Sequence, residues 1–158
     1  MIVRNAEAEE VDQLAKVWYD AWHDAHAQIV PAELTRLRTL EGFRETLQAD
    51  LSPVRVVGPV GQPLGLCVVK GDELYLLFVA AEARGSGVAA ALVADAENQL
   101  RENGVEKAWL ACAIGNLRAA KFYEKCGWRR TGNMINYAET PEGTFAIEVW
   151  RYEKLLKI

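Results

Sequence analysis

Cysteine is scarce in this sequence, and its three cysteines include no CxxC pair. Cys67, Cys112 and Cys126 lie among apolar residues, where a cysteine usually behaves as a small buried hydrophobe. Their odd number and their spacing exclude the usual cysteine-rich zinc pattern and a disulfide framework. Such cysteine usage is typical of a reducing compartment, so we expect a cytoplasmic protein.

Long apolar runs and an excess of basic residues are also missing. The N-terminal MIVRNAEAEE has no apolar signal core, and no run approaches the roughly 20 apolar residues that span a bilayer, so we expect no membrane partner. Lysine and arginine number 18 against 22 aspartates and glutamates, a formal net charge of −4. This balance disfavours nucleic acid as a partner and mildly favours a cationic substrate.

Apolar residues make up 51% of the 158 positions, which is enough for a core, and the length fits one domain, residues 1–158. Periodicity predicts helices at Glu7–Ile29, Ala32–Gln48, Gly87–Asn103 and Asn116–Lys125. It predicts strands at Ile2–Arg4, Val54–Val57, Leu64–Val69, Glu73–Val79, Lys107–Cys112, Trp128–Tyr137 and Phe145–Glu153. The order β-αα-βββ-α-β-α-ββ indicates an α+β fold, a mixed sheet flanked by helices.

A glycine-rich turn stands between a predicted strand and a predicted helix, in the stretch EARGSGVAAALVADAENQL. The first turn of a helix has free N–H groups and the positive end of the helix dipole, and glycines let the backbone approach a phosphate closely. The turn is not a P-loop, because no GK[ST] follows, and it lacks the GxGxxG spacing of a dinucleotide fingerprint. Two interpretations stay open: an anion site, or a turn that only reverses the chain.

Two motifs indicate a family. Arg84-x-x-Gly87-x-Ala89 resembles the [QR]-x-x-G-x-[GA] motif of the GNAT superfamily of acyl-CoA-dependent N-acyltransferases. NLRAAKFYEKCGWR, from Asn116 to Arg129, resembles the N-x-x-A-x-x-[FL]-Y-x-x-x-G-[FW] segment of that superfamily. The element order is also similar, so the resemblance covers nearly the whole chain and implies a mostly antiparallel mixed sheet. Ala81 and Ala83 depart from the proline and the aromatic residue often found there, which affects no backbone amide.

The resemblance implies acetyl-CoA as the co-substrate. In the superfamily, amides of the loop hold the pyrophosphate, and the preceding strand splays from the next parallel strand to admit pantetheine. Ala111–Ala113 should then line the far side of the splay. The implied cofactor-binding residues are Phe78, Val79, Arg84, Gly85, Ser86, Gly87, Val88, Ala89, Asn116 and Tyr123.

Tyr123 matches the tyrosine that gives a proton to the coenzyme A thiolate in that superfamily, although helical spacing alone equally predicts a core aromatic. Glu73 matches a glutamate that serves as general base in some members. A strand period of two would place Glu73, Tyr75, Leu77 and Val79 on one face. The alternative for Glu73 is a solvated carboxylate beside a turn.

The acceptor site should involve the first two helices and the closing strands. Tyr19, His23, His26 and Val30 form a second stripe on the first helix, and Tyr137 and Trp150 are candidates for the opposite wall. No third metal ligand accompanies the two histidines, so we expect no metal.

These features predict an N-acetyltransferase that transfers acetyl from acetyl-CoA to a primary amine by direct attack in a ternary complex. The alternative is a non-catalytic acyl-CoA-binding regulatory module of the same fold. A kinase is remote, because a phosphate-reaching lysine and an acidic magnesium pair are missing. The sequence leaves the acceptor open between small amines and peptides; dimers are common in the superfamily, and a homodimer is compatible with the sequence.

Overall fold

The computed structural model describes residues 1–157, and within them the chain forms seven strands and five helices. The strands are β1 (Val3–Asn5), β2 (Val54–Val57), β3 (Gly65–Lys70), β4 (Glu73–Val79), β5 (Lys107–Ala113), β6 (Arg129–Thr140) and β7 (Gly143–Leu155). The helices are α1 (Val11–His26), α2 (Ala32–Leu37), α3 (Leu40–Ala49), α4 (Val88–Glu102) and α5 (Leu117–Lys125). None of these helices is long and apolar enough to cross a membrane.

The strands form one sheet in the order β1-β2-β3-β4-β5-β7-β6. Only β4 and β5 run parallel among the paired strands of residues 1–157, and every other neighbouring pair is antiparallel. The parallel pair arises because α4 crosses over the sheet between β4 and β5, a connection that antiparallel hairpins do not need. The predicted mixed, mostly antiparallel sheet flanked by helices is confirmed.

Apolar clusters lie on both faces of the sheet. On one face the buried stripe of α4, which includes Val88, Leu92 and Leu100, packs with strand residues such as Cys67 and Leu110. On the other face α1 and α3 pack over β2, β3 and β4. The apolar stripe of α1 is buried there: Val11, Leu14, Trp18 and Trp22. The sheet is thus covered from both sides near β3 and β4.

The predicted helix Ala32–Gln48 is wrong as a single element, because it is two helices that break at Arg38. The Thr39 side chain caps α3 by accepting a hydrogen bond from the Gly42 amide at 3.0 Å. Threonine is a favoured N-cap, since its oxygen satisfies one of the amides that a helix start leaves unpaired. The break leaves Arg38 in a non-helical conformation between the two helices.

A β-bulge in β4 corrects the predicted face of Glu73. Val69 pairs with Leu74 but Val68 pairs with Leu76, so Tyr75 is an extra residue in β4. The bulge reverses the alternation: Leu77 and Val79 pack with the α4 cluster, whereas Tyr75 and Phe78 pack with the α1 cluster. Glu73 lies opposite Lys70, on the α1 face, and does not share a face with Leu77 and Val79.

Gly65 in β3 sets how closely α4 approaches the sheet. A Cβ at this position would lie 2.8 Å from Val88 Cγ1, 3.0 Å from Leu92 Cδ1 and 3.1 Å from the Phe78 carbonyl oxygen. Val88 is the first residue of α4, so the glycine at position 65 allows the start of this helix to pack directly on β3.

We expect Gly65→Ala to lower the free energy of unfolding by about 2 kcal/mol, because the added methyl overpacks a filled contact. Denaturant unfolding would measure it. Val88→Ala removes the nearest clashing atom, so the double variant should lose less stability than the sum of the two single variants. Strict additivity would show that Gly65 does not limit the approach of α4.

Candidate active site

Strands β4 and β5 separate soon after they meet. Their only registered pair within residues 1–157 is Glu73 with Trp109, supported by a 3.1 Å bond from the Trp109 amide to the Asp72 carbonyl. Beyond that point the strands diverge around a cavity of about 670 Å³, hereafter the splay cavity. It is lined on the β4 side by Leu77, Phe78 and Val79 and on the β5 side by Ala111, Cys112 and Ala113. The predicted splay is present, and Ala111–Ala113 line its far side.

Backbone alternation decides which β4 amides face the splay cavity. The Ala80 amide donates to the Leu64 carbonyl of the β3 side at 2.8 Å. In an antiparallel ladder successive amides point to opposite sides, so Phe78 also donates toward β3, and Leu77 and Val79 point toward β5. Val79 therefore offers its N–H to the cavity as the sequence suggested, Phe78 offers only its ring, and Leu77 is a donor that the sequence analysis missed.

The glycine turn directs a set of unpaired amides at one end of the splay cavity. Gly85 and Gly87 have φ of +76° and +93°, a left-handed conformation that favours glycine. The amides of Arg84 and Ser86 are used inside the turn, on the carbonyls of Ala81 and Ala83 at 3.2 and 3.3 Å. Within residues 1–157 no backbone acceptor pairs with the amides of Gly85, Gly87, Val88, Ala89 and Ala90. Within residues 1–157 the backbone donors that the turn leaves free thus include Ala90, which the sequence analysis did not name; Arg84 and Ser86 stay predicted cofactor-binding residues, although their own amides are used in the turn.

Two arginines meet one carboxylate at the rim of this end. Arg84 and Arg118 both donate to the Asp24 carboxylate of α1, Arg118 at 3.3 Å. The hydrogen bond from Arg84, and then that from Arg118, hold the pKa of Asp24 below its usual range. Both arginines line the splay cavity. Arg118 lies inside the second sequence motif, but nothing in the sequence marks Asp24, which is one of several acidic residues on α1.

Tyr123 lies under the splay cavity on α5. Its ring is buried beside Cys112 and Cys126, which also line the cavity. Burial is the main cause that raises the pKa of the Tyr123 phenol, so the group stays protonated at neutral pH. Asn116 caps α5, its side-chain oxygen accepting from the Ala119 amide at 3.3 Å, and it lines the same cavity.

Glu73 is half-buried at the point where β4 and β5 still pair. Burial raises the pKa of Glu73 to about 7; the charge of Asp72 also raises it, while Lys70 and Arg151 oppose the shift. A carboxyl group with this pKa exchanges a proton readily near neutrality. Glu73 lies at the closed end of the splay, where β4 and β5 pair, and is not among the residues that line the splay cavity.

The predicted histidine stripe divides between two environments. His26 lines the splay cavity, and burial lowers its pKa to about 4, so the ring is neutral. Its Nδ1 lies 2.9 Å from the Trp22 carbonyl, which can only accept, so Nδ1 carries the proton and Nε2 is left as an acceptor. His23 instead bonds the Arg38 carbonyl through Nε2 at 2.7 Å, and the Tyr19 ring is tilted against the His23 ring with the centroids 4.2 Å apart. Neither residue lines the splay cavity.

A second cavity, of about 660 Å³, lies between α3, the sheet and the tip of the β6–β7 hairpin. We call it the hairpin cavity; Arg38, Phe43, Lys70, Tyr75 and Glu139 are among its lining residues. Tyr75, the bulge residue, borders both cavities.

The two aromatic residues predicted for the opposite wall point elsewhere. Tyr137 is exposed, because its neighbour Ala138 is the residue that packs toward α1. Trp150 pairs with Cys112 on the α4 face of the sheet and carries Arg130 over its ring at 3.8 Å. The hairpin instead contributes Glu139 and Thr140 to the hairpin cavity.

No group of three or more histidine, cysteine, aspartate or glutamate side chains in residues 1–157 is placed to hold a metal ion.

Known proteins share this sequence pattern and architecture. Over 91 residues the chain is 31% identical to a mycothiol acetyltransferase of Parafrankia sp. (strain EAN1pec). That alignment covers 58% of this chain and only 27% of the relative, so the chain spans little more than a quarter of the relative's length.

Solved structures extend the likeness to nearly the whole chain. A GCN5-related N-acetyltransferase from Rhodopseudomonas palustris matches with a TM-score of 0.75 at 17% identity, covering 98% of this chain and 95% of that one. The PaiA N-acetyltransferase of Thermoplasma acidophilum, solved in complex with coenzyme A, matches with a TM-score of 0.71 at 17% identity and covers 98% of both chains. At such identities the likeness shows the fold. The sequence of residues 11–128 goes further, since it matches the family described as Acetyltransferase (GNAT) family, and the chain therefore belongs to that family.

Proposed function

We propose that the protein transfers an acetyl group from acetyl-CoA to a primary amine by direct attack in a ternary complex. One observation carries the proposal: a single cavity joins five unpaired amides at a helix start to the buried Tyr123 phenol. The amides suit a pyrophosphate, and the cleft between β4 and β5 suits an extended pantetheine arm. The Thermoplasma acidophilum relative of the same fold was solved with coenzyme A.

The backbone holds and polarises the donor. Amides of the turn and of the first turn of α4 bind the pyrophosphate, and the dipole of α4 adds positive potential. The amides of Leu77 and Val79 point into the cleft and bind the thioester carbonyl oxygen, where negative charge develops during attack. The apolar walls exclude water, which strengthens these hydrogen bonds.

Glu73 acts as the general base and Tyr123 as the general acid. With a pKa raised to about 7, Glu73 accepts the proton that the substrate ammonium group must lose before its nitrogen can attack, directly or through a water molecule. When the tetrahedral intermediate collapses, the Tyr123 phenol, which burial keeps protonated, gives its proton to the leaving thiolate, and the second proton lost by the amine nitrogen restores the phenol.

Direct attack fits the cysteines better than a covalent intermediate on the enzyme. Burial raises the pKa of Cys112 to about 11, so this cavity-lining thiol is almost fully protonated at neutral pH. The thiolate is the nucleophilic form of cysteine, and none of the basic groups of the site lowers this pKa enough to produce it.

We expect Gly85→Ala to weaken acetyl-CoA binding about tenfold, because a side chain strains the left-handed backbone that aims the amides. Gly71→Ala is the matched control. Both glycines have positive φ and open space for a Cβ, but Gly71 lies in the β3–β4 turn, away from the splay cavity. Calorimetric titration should show a higher Kd only for Gly85→Ala; equal Kd values for the two variants would refute the role of the turn.

We expect Tyr123→Phe to reduce kcat about 100-fold and to leave the Kd of acetyl-CoA nearly unchanged, because the substitution removes the proton-donating hydroxyl group and keeps the ring. Tyr19→Phe, outside both cavities, should leave kcat unchanged. The measurement is release of coenzyme A thiol during turnover, with titration of acetyl-CoA in parallel. Full activity of Tyr123→Phe would rule out the role of Tyr123 as the general acid. A wild-type protein that binds acetyl-CoA but shows no turnover would be a non-catalytic acyl-CoA-binding module.

We expect kcat/KM to rise as pH increases through about 7, because Glu73 must lose its proton to act as a base. In Glu73→Gln this rise of kcat/KM with pH should disappear, and kcat/KM should fall about 100-fold. Glu148→Gln, an exposed carboxylate on β7, serves as the control. If kcat/KM of Glu73→Gln still rises near pH 7, the general base is another group.

A further inference from the structure

Arg38 is a cation held in an aromatic setting at the break between α2 and α3. Its guanidinium lies over the Phe43 ring at 4.8 Å and over the Trp22 ring at 5.4 Å. One nitrogen, Nη1, donates to the backbone carbonyl of Glu139 at the hairpin tip. The side chain lines the hairpin cavity.

The charge of Arg38 has no carboxylate partner within 4.0 Å among residues 1–157, although the arginine is mostly removed from water. The Nε atom is buried and has no hydrogen-bond acceptor. The nearby Glu139 carboxylate is directed to Lys70, at 3.9 Å. Two other acidic residues of the cavity lining, Glu45 and Asp50, are exposed at its rim.

Taking an unpaired guanidinium out of water in such a place costs free energy unless an anion binds to it. Ring faces and one carbonyl replace only part of the lost hydration, and arginine stays charged at every physiological pH. Its planar fork matches a carboxylate, which accepts two parallel hydrogen bonds. The hairpin cavity gives such an anion room, since its volume lies in the usual range for small ligands.

We propose that the hairpin cavity is the acceptor pocket and that Arg38 binds a carboxylate carried by the acceptor, which is therefore an amino acid or a peptide with a nearby carboxylate. This inference rests on the proposed acetyl transfer. Tyr75 borders both cavities, so an amine whose carboxylate lies on Arg38 extends past Tyr75 toward the splay. The unpaired charge of Arg38 thus selects an anionic group, in contrast to the cationic substrate that the net charge favoured.

The test compares amines that differ only in the carboxylate. The pairs are L-alanine with ethylamine, L-leucine with isoamylamine, L-lysine with cadaverine, and the dipeptide Ala-Ala with its C-terminal amide. Release of coenzyme A thiol gives kcat and KM for each amine with the wild-type protein, Arg38→Met and Arg38→Lys. Arg36→Met is the matched control, an exposed arginine two residues away that pairs with Glu33 and lines neither cavity.

We expect the wild-type protein to prefer the carboxylate member of at least one pair by about tenfold or more in kcat/KM. Arg38→Met should raise KM for that member about 30-fold with little change in kcat, as truncation of a buried charge pair does. The neutral member, the Kd of acetyl-CoA and all values of Arg36→Met should stay unchanged. Arg38→Lys keeps the charge but loses the fork, so it should give an intermediate KM and covers the case in which Arg38→Met does not fold.

Two outcomes would overturn the inference: equal use of both members of every pair by the wild-type protein, or a preference that survives in both Arg38 variants. If the wild-type protein prefers only Ala-Ala over its amide, the carboxylate that binds Arg38 is that of a peptide. If it prefers only the free amino acids over their amines, the carboxylate is that of a free amino acid. Absence of turnover with every amine would contradict acetyl transfer, not the anion site. In that case the unfolding temperature is measured with coenzyme A and each carboxylate compound present. A rise for the wild-type protein that is lost in the Arg38 variants supports the anion site. An equal rise in all the proteins, or no rise in any, refutes the anion site.

Discussion

The candidate site depends on one parallel strand pair that forms at only one end. Where Glu73 pairs with Trp109, the sheet is continuous; a few residues later it is open, and within residues 1–157 no β5 residue is in register with Leu77 and Val79, whose amides point toward β5. Unpaired buried amides are expensive, so an open sheet edge inside a protein requires a partner. A pantetheine arm that adds to the sheet as a strand would satisfy that requirement, and the turn and α4 complete the same surface with five further donors.

Two backbone features beside the cleft keep this arrangement in register. Gly65 lets α4 start directly against β3, and the bulge at Tyr75 turns Leu77 and Val79 toward α4 while Glu73 stays on the α1 face. In the proposed mechanism the base and the thioester donors therefore come from one strand, β4, and the acid comes from α5. Their spacing is set by backbone packing and not by contacts between the reacting side chains.

Much of the fold was predictable because the signals are local. The helix and strand periods, the glycines before α4 and the motif around Asn116 and Tyr123 each lie within a short stretch of sequence. The Tyr75 bulge was not predictable, since a single extra residue reverses a strand's faces and leaves the apolar pattern unchanged. The break at Arg38 was not predicted either, because the apolar residues keep a helical period through it: Leu34, Leu37, Leu40, Phe43 and Leu47. The sequence signal available for the break was Thr39, whose side chain caps α3. Asp24 and Arg38 acquire their contacts only in three dimensions.

The two halves of the site consist of different kinds of atoms, and this has a consequence for how such a chain can diverge. Donors on the proposed coenzyme side are main-chain amides, which no substitution except proline removes as long as the glycines hold the turn. The hairpin cavity is formed by side chains such as Arg38 and Lys70 on separate elements, each replaceable alone. Mutations would thus accumulate freely in the hairpin cavity while the main-chain donors keep working. Descendants of this chain would therefore change their acceptor far more readily than their acyl donor.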